Sequence, residues 1–370
     1  MGNPVAELVA ASHYAGNDVL LAQGGGGNTS AKGADRLWIK ASGVKLAEVT
    51  ASTGHLTLDL PALRRSLDDP RLAVLPPREA HEESVQRIQR LVDSPLRPSL
   101  ETSFHATLPQ RVVLHTHSVY VNAFTCMEGG RDALAGIGPW VGYATPGYLL
   151  GRLVADAHRA TGADRFVLEN HGLITAGDDA AEAIAAHEEV IGLGRKYFGD
   201  VPAGSVEVAP PHPDAAAWAA RRQIAFGGVV RPAMRRGLPI HGDEPPTSGA
   251  LVPDDVVYGI HDIRVIDPTD DGGPLPEQAV VWLRGCGFVL VAPSARNADI
   301  VEENLLANVL LHGLIARRGV PQRLDPKEIA YLSGMDSEAY RRKVAAGGLV
   351  RDASQKRPRV CEASRTEAGE

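Results

Sequence analysis

Val112-Val113-Leu114 is a short apolar run, and it stops abruptly at His115-Thr116-His117. A run this apolar is a buried strand, so the chain must build a sheet whose interior strand delivers polar side chains at its end. Side chains on a strand repeat with period two, so His115 and His117 point to the same side. Ser118 then stands where a helix would begin. A second apolar strand, Arg165-Phe166-Val167-Leu168, turns through Glu169-Asn170-His171-Gly172 into a third, Leu173-Ile174-Thr175, and a helix follows from near Asp179 to about Tyr197. These pieces predict an α/β protein.

The remaining segments are read around that sheet. A first helix runs from Pro4 to about Asn17, with Val5, Leu8, Val9 and Tyr14 apolar. The run Gly24-Gly25-Gly26-Gly27-Asn28-Thr29-Ser30 reads as a loop, Arg36–Lys40 as a strand, and 59–94 as mostly helical. Residues 198–217 are rich in Pro, Ala and Gly and read as a linker. The expected layout is therefore a catalytic domain over 1–205, a second, smaller α/β domain over 218–350, and a polar tail over 351–370. Within the second domain, Ala279–Val291 gives strand, Gly turn and strand, and a helix follows over about Ala295–Arg317. That order echoes 165–197, with Cys286 standing where His171 stands. A degenerate repeat and a coincidence of a common order both fit it.

Composition narrows the function. The chain has 370 residues, enough for two domains, with 44% hydrophobic and 22% charged residues. That is the balance of a globular enzyme. A net charge of −7 and the lack of a basic stripe argue against a nucleic-acid binder. Cys126, Cys286 and Cys361 are scattered and odd in number, which disfavours a disulfide framework. No run approaches a membrane span and the N-terminus lacks a signal pattern, so the expected location is cytoplasmic.

The chemistry-bearing residues are few. His115 and His117 can grip one cation if a third ligand arrives, and His171, displayed in a Gly-flanked turn, is the candidate. Three His with one open position make a catalytic site. For the His-x-His pair alone, chance is the better reading. Glu101 lies fourteen residues before His115. Beside a cation that polarises a carbonyl it would serve as general base, although an acidic residue in a first helical turn has an ordinary explanation too. His105 reads as a packing residue or one that orients a ligand, not as a fourth ligand. The Gly24–Ser30 run offers backbone N–H groups of the kind that wrap anions, and Ser42-Gly43 is a second anchor. A plain flexible turn is the alternative. The run does not fit the Walker pattern.

Taken together and in order, Gly27-Asn28-Thr29-Ser30, Ser42-Gly43, Glu101 ahead of Phe104-His105, His115-Thr116-His117, Tyr143-Ala144-Thr145-Pro146-Gly147 and Asn170-His171-Gly172-Leu173-Ile174 resemble the class II aldolase/adducin family. This family includes fuculose-phosphate and rhamnulose-phosphate aldolases and ribulose-phosphate epimerases. The resemblance covers about residues 5–200. It implies a mostly antiparallel sheet covered by helices, and a divalent metal held by His115, His117 and His171: zinc first, or Mn2+ or Co2+. It implies Glu101 as acid/base, Tyr143 as proton donor, and Asn28, Thr29, Ser42, Gly43 and Ser99 around the substrate or its phosphate. A lyase acting on a sugar or sugar phosphate, assembled as a homo-oligomer, with a tetramer as the usual form, is the expectation that follows. An epimerase using the same retro-aldol chemistry is the first alternative; the family's epimerases carry Asp at the position of Glu101. An adducin-like interaction protein is the second. One departure bears on substrate: the sugar-phosphate aldolases carry two small hydroxyl residues before the catalytic glutamate, and here the second is Leu100.

Overall fold

The computed structural model describes residues 2–247 and 249–345. The polar tail over 351–370 and Cys361 lie outside the described residues. The chain opens with α1 (Pro4–Gly16), where the Asn3 side chain accepts from the Val5 N–H and Pro4 occupies the first turn. There follow β1 (Asn28–Lys32), β2 (Arg36–Lys40), β3 (His55–Asp59), α2 (Leu60–Leu67), α3 (Pro70–Val74), α4 (Pro77–Arg90), α5 (Thr102–Thr107) and β4 (Val112–Thr116). Then come α6 (Val119–Thr125), α7 (Gly130–Ala133), β5 (Trp140–Val141), α8 (Tyr148–Thr161), β6 (Arg165–Leu168), β7 (Gly172–Gly177) and α9 (Ala180–Phe198). The strands form one sheet in the order β3-β2-β1-β4-β7-β6-β5. Its pairings are antiparallel except β5 with β6. This is the mostly antiparallel, helix-covered α/β fold that the motifs imply.

The second half contains α10 (Pro213–Gln223), β8 (Val229–Pro232), α11 (Pro253–Val257), β9 (Arg264–Ile266), β10 (Ala279–Leu283), β11 (Gly287–Ala292), α12 (Ala295–Ile315), α13 (Pro326–Ser333) and α14 (Asp336–Ala345). Its four strands pair in the order β8-β11-β10-β9. The strand, turn, strand, helix order seen over 165–197 recurs here as β10, β11 and α12, with β10 and β11 antiparallel.

Three findings depart from the sequence reading. Asn28, Thr29 and Ser30 do not belong to a loop. They begin β1, which lies between β2 and β4 inside the sheet. The glycines before them obscured the strand, because a short polar strand gives no apolar period. The presumed linker is not free chain either: α10 starts within it at Pro213, and the Val201 N–H donates to the Tyr120 hydroxyl. Finally, the two halves share a core. Val119, Phe124 and Val190 of the first half pack in one cluster with Trp282, Leu290, Leu305 and Leu311 of the second. Each fully buried large apolar side chain there contributes about 1.5–3 kcal/mol, so the halves stabilise one another.

Candidate metal centre

The sheet sorts side chains by alternation. On β4, Val112 and Leu114 pack toward α1 and α9, and the Thr116 hydroxyl pairs with His187 Nε2 of α9 at 2.6 Å. Val113 and His115 face the opposite way, against Phe104, and His117 follows on that side just past the strand end. His171 arrives from the turn between β6 and β7. Asn170 sets that turn with φ 49°, a left-handed conformation uncommon outside glycine. Its amide donates to the Leu251 and Gln322 carbonyls, at 2.9 and 2.8 Å, which holds the strained residue in place. Gly172 is obligatory: a Cβ there would lie 2.2 Å from the Thr116 carbonyl oxygen.

The three rings converge. Their centroids are 5.0, 5.0 and 5.1 Å apart, and their ligand nitrogens lie within 4.8 Å of one another. All three residues are buried. His115 Nδ1 lies 3.0 Å from the Leu173 carbonyl and His117 Nδ1 2.7 Å from Asp254 Oδ2, leaving both Nε2 atoms buried with no hydrogen-bond partner among the described residues. Buried polar atoms are almost always paired, so two facing orphan nitrogens point to a missing electrophile. Burial pushes the His171 imidazole down to about 3 and His115 well below its usual value, so both stay neutral, the form a cation needs. The donor set fits a divalent transition metal.

Glu101 stands at the mouth of the cluster. Its Oε2 is 3.4 Å from His115 Nε2, and its Oε1, with no hydrogen-bond partner among the described residues, is 3.5 Å from His171 Nε2. The Asn28 amide donates to Oε2 at 2.6 Å, Asn28 Oδ1 meets His105 Nε2 at 2.5 Å, and His105 Nδ1 meets the Ser30 hydroxyl at 2.7 Å. This buried row fixes Glu101 from behind. It also explains why β1 alternates: Asn28 and Ser30 face the site.

The sequence candidates divide accordingly. His115, His117, His171 and Glu101 are brought together. Asn28, Ser42, Gly43 and Ser99 line the same narrow pocket with Gly25, Gly27 and Leu100. Thr29 is not brought there. It lies on the other face of β1, and its hydroxyl bonds Ser12 of α1 at 2.6 Å. Tyr143 is not among the lining residues; its hydroxyl donates to Glu328 of α13 at 2.9 Å. Three charged lining residues were missed. Lys40 is buried, donates to the Gly25 and Val44 carbonyls, and is pushed down to about 7 by burial. Asp254 of α11 and Arg341 of α14 come from the second half and pair with one another. A Pro at the start of a helix followed by two acidic residues marks α11 in the sequence, but nothing there ties Asp254 to His117.

Over residues 6–195 the chain matches the model of the "Class II Aldolase and Adducin N-terminal domain". It is 31% identical over 212 residues to the "Uncharacterized oxidoreductase YuxG" of Bacillus subtilis (strain 168), covering 53% of this chain and 30% of that one. The chain thus spans less than a third of the length of that curated relative. Among solved structures it is similar to the N-terminal class II aldolase domain of a conserved protein from Thermoplasma acidophilum. That match has 27% identity and a TM-score of 0.47, and covers 54% of this chain and 95% of that one. It is also similar to an L-fuculose-1-phosphate aldolase from Thermus thermophilus, with 19% identity and a TM-score of 0.34, covering 51% of this chain and 91% of that one. The family match spans half of the chain, and the chain belongs to the class II aldolase and adducin N-terminal domain family.

Proposed function

We propose that the chain is a divalent-metal-dependent aldehyde-lyase, zinc being the first candidate ion, acting on a small ketose or ketose phosphate. One observation carries the reading: three buried, converging imidazoles, of which His115 and His117 turn Nε2 atoms with no hydrogen-bond partner among the described residues toward a carboxylate whose Oε1 is likewise unpartnered. An interaction protein has no use for such a set, since each orphaned buried group costs about 1–3 kcal/mol. His115, His117 and His171 would hold the ion. When bound, it polarises a carbonyl and stabilises the negative charge that develops as a carbon–carbon bond breaks.

The chain's own residues supply the rest. Glu101 Oε1 is the free oxygen that takes or returns the proton at the carbon beside the carbonyl. Asn28 holds the other oxygen, so the carboxylate is oriented before substrate arrives. Ser42, Gly43 and Ser99 line the pocket, and in this reading they would hold the substrate's far end. Leu100 beside them offers no donor, which favours substrates that do not rely on a terminal phosphate. Tyr143, held by Glu328, is the second candidate for moving a proton. The same reading takes the protein as a homo-oligomer, a tetramer in the first instance.

The test is a panel of ketoses and ketose phosphates with metal-loaded protein, scored for aldehyde release through a coupled reductase. Release that stops on chelation and returns with zinc, Mn2+ or Co2+ is the expected result. Fully loaded protein that interconverts stereoisomers without releasing aldehyde would replace the lyase by an epimerase. Loaded protein inert toward the whole panel would overturn the enzymatic reading.

A further inference from the structure

Two carboxylates reach the histidine cluster, from opposite sides. Glu101 faces the free nitrogens. Asp254 stands behind His117, its Oδ2 2.7 Å from Nδ1, although it lies 137 residues away in the chain. The contact is built for closeness. Asp254 is 2% exposed, and the backbone of Gly26 passes so near that a Cβ there would lie 2.7 Å from Asp254 Oδ2 and 2.9 Å from His117 Nδ1. Asp254 Oδ1 accepts from Arg341 Nη2. Arg341 is itself buried, with Glu338 Oε2 3.5 Å from Nη1 and its guanidinium 5.5 Å from the Tyr258 ring centroid.

The three imidazoles are held differently at their far nitrogens. His115 meets a backbone carbonyl, His171 Nδ1 has no hydrogen-bond partner among the described residues, and His117 meets a carboxylate. Burying a carboxylate is costly unless it is paired and hydrogen-bonded. Asp254 meets that condition through Arg341 and the His117 N–H. A carboxylate acceptor fixes the tautomer with the proton on Nδ1. It leaves the Nε2 lone pair facing the other rings and makes that nitrogen a better donor to a cation.

We propose that Asp254 is a positioning residue of the metal centre: it orients His117, Arg341 orients Asp254, and the second half of the chain thereby completes a centre whose ligands all lie in the first. The inference rests on the three histidines being the ligands.

Zinc affinity, read by competition with a chromophoric chelator, and the visible bands of the Co2+-loaded protein test it without recourse to turnover. Asp254→Ala alone would strand a buried guanidinium, and removing Arg341 would strand the buried Glu338 beside it, so both Asp254 variants are made together with Arg341→Met and Glu338→Gln. We expect about 10–100-fold weaker zinc binding and altered cobalt bands, with the native circular dichroism kept. Asp254→Asn in the same background keeps a neutral acceptor and should recover part of the loss. A folded alanine variant that binds zinc like the native protein overturns the inference. So does equal loss in the alanine and asparagine variants, which would trace the effect to packing. Should the alanine variant not fold, the asparagine variant decides alone: reduced affinity supports the inference and native affinity overturns it. His117→Ala is the control. If it too binds zinc natively, the ligand assignment has failed, and that outcome is distinct from failure at Asp254.

Discussion

Between β6 and β7 the chain turns through Glu169-Asn170-His171-Gly172; between β10 and β11 it turns through Arg284-Gly285-Cys286-Gly287. Both turns join antiparallel strands that feed a long helix. The first holds a non-glycine residue in a left-handed conformation and secures it with two hydrogen bonds to the other half of the chain. The second gives its left-handed positions to Gly285 and Gly287, where they cost little. His171 emerges among two other imidazoles. Cys286 sinks into an apolar cluster with Trp218, Ala215 and Val289, and burial pushes its thiol up. His212 and Asp214 approach Cys286 to within 4.8 Å. Yet the Asp214 N–H already donates to His212 Nδ1, Asp214 is exposed, and both sit at the start of α10, where the helix dipole repels a cation. What distinguishes a site from an echo is convergence of unsatisfied donors, and strain is kept only where it serves them.

Metal content breaks or confirms that contrast most directly. The native protein is expected to hold about one divalent ion per chain, as a three-histidine site does. His171→Ala should stay folded and hold almost none, whereas Cys286→Ser should hold as much as the native protein. Elemental analysis after gel filtration reads both. If the cysteine variant lost its metal and the histidine variant kept it, the two turns would have to exchange roles.

Next in size is Glu101→Gln. The amide preserves shape and leaves the three imidazoles untouched, so metal content should be native. It cannot carry the proton, and kcat should fall by about 10²–10⁴. Near-native turnover would transfer the role to Tyr143, which Glu328 holds from the second half.

Leu100→Ser adds a hydroxyl at the pocket. Lys40 is occupied by backbone carbonyls and Arg341 by Asp254, so neither basic group is free to anchor a phosphate without rearrangement. The new hydroxyl should improve KM for a phosphorylated ketose by about 1.5–3 kcal/mol, roughly 10- to 150-fold, and leave its unphosphorylated counterpart unchanged. If the native protein already strongly prefers the phosphorylated member and the substitution changes nothing, the backbone N–H groups of the glycine loop supply the anchor.

The sequence carried the first half well because its signals are local. The period of β4 put His115 and His117 on one side, the β6–β7 turn displayed His171, and α9 begins one residue after its capping Asp179. The polar strand β1 was hidden because burial of Asn28 and Ser30 is met by Glu101 and His105, partners that no spacing along the chain announces. Thr29 was misplaced for the same reason: once β1 is a strand, alternation turns Thr29 toward α1. Asp254 and Arg341 were illegible because their meaning lies wholly in tertiary contact.

Acid stability offers the finest comparison, since it asks how each half tolerates protons. Burial pushes His187, at the back of β4, down to about 3, and His312 of α12 down to about 4. Either group when unfolded titrates near ~6.5. As pH falls below about 6.5, the unfolded chain takes up a proton that the folded chain refuses, so stability falls with falling pH. The window closes where the folded group finally titrates: about pH 3 for His187 and about pH 4 for His312. Within it, each such histidine steepens the loss by up to about 1.4 kcal/mol per pH unit. His105, His115 and His171 of the first half are shifted the same way, so the first half should dominate acid unfolding. Urea melts of chelator-treated protein at a series of pH values isolate the slope from any constant change in stability. His187→Gln should flatten that slope from about pH 6 down to about pH 3. His312→Gln should flatten it by as much per pH unit but only down to about pH 4, so its total effect is smaller. Equal flattening over the same range would mean that the two halves carry their neutral histidines alike.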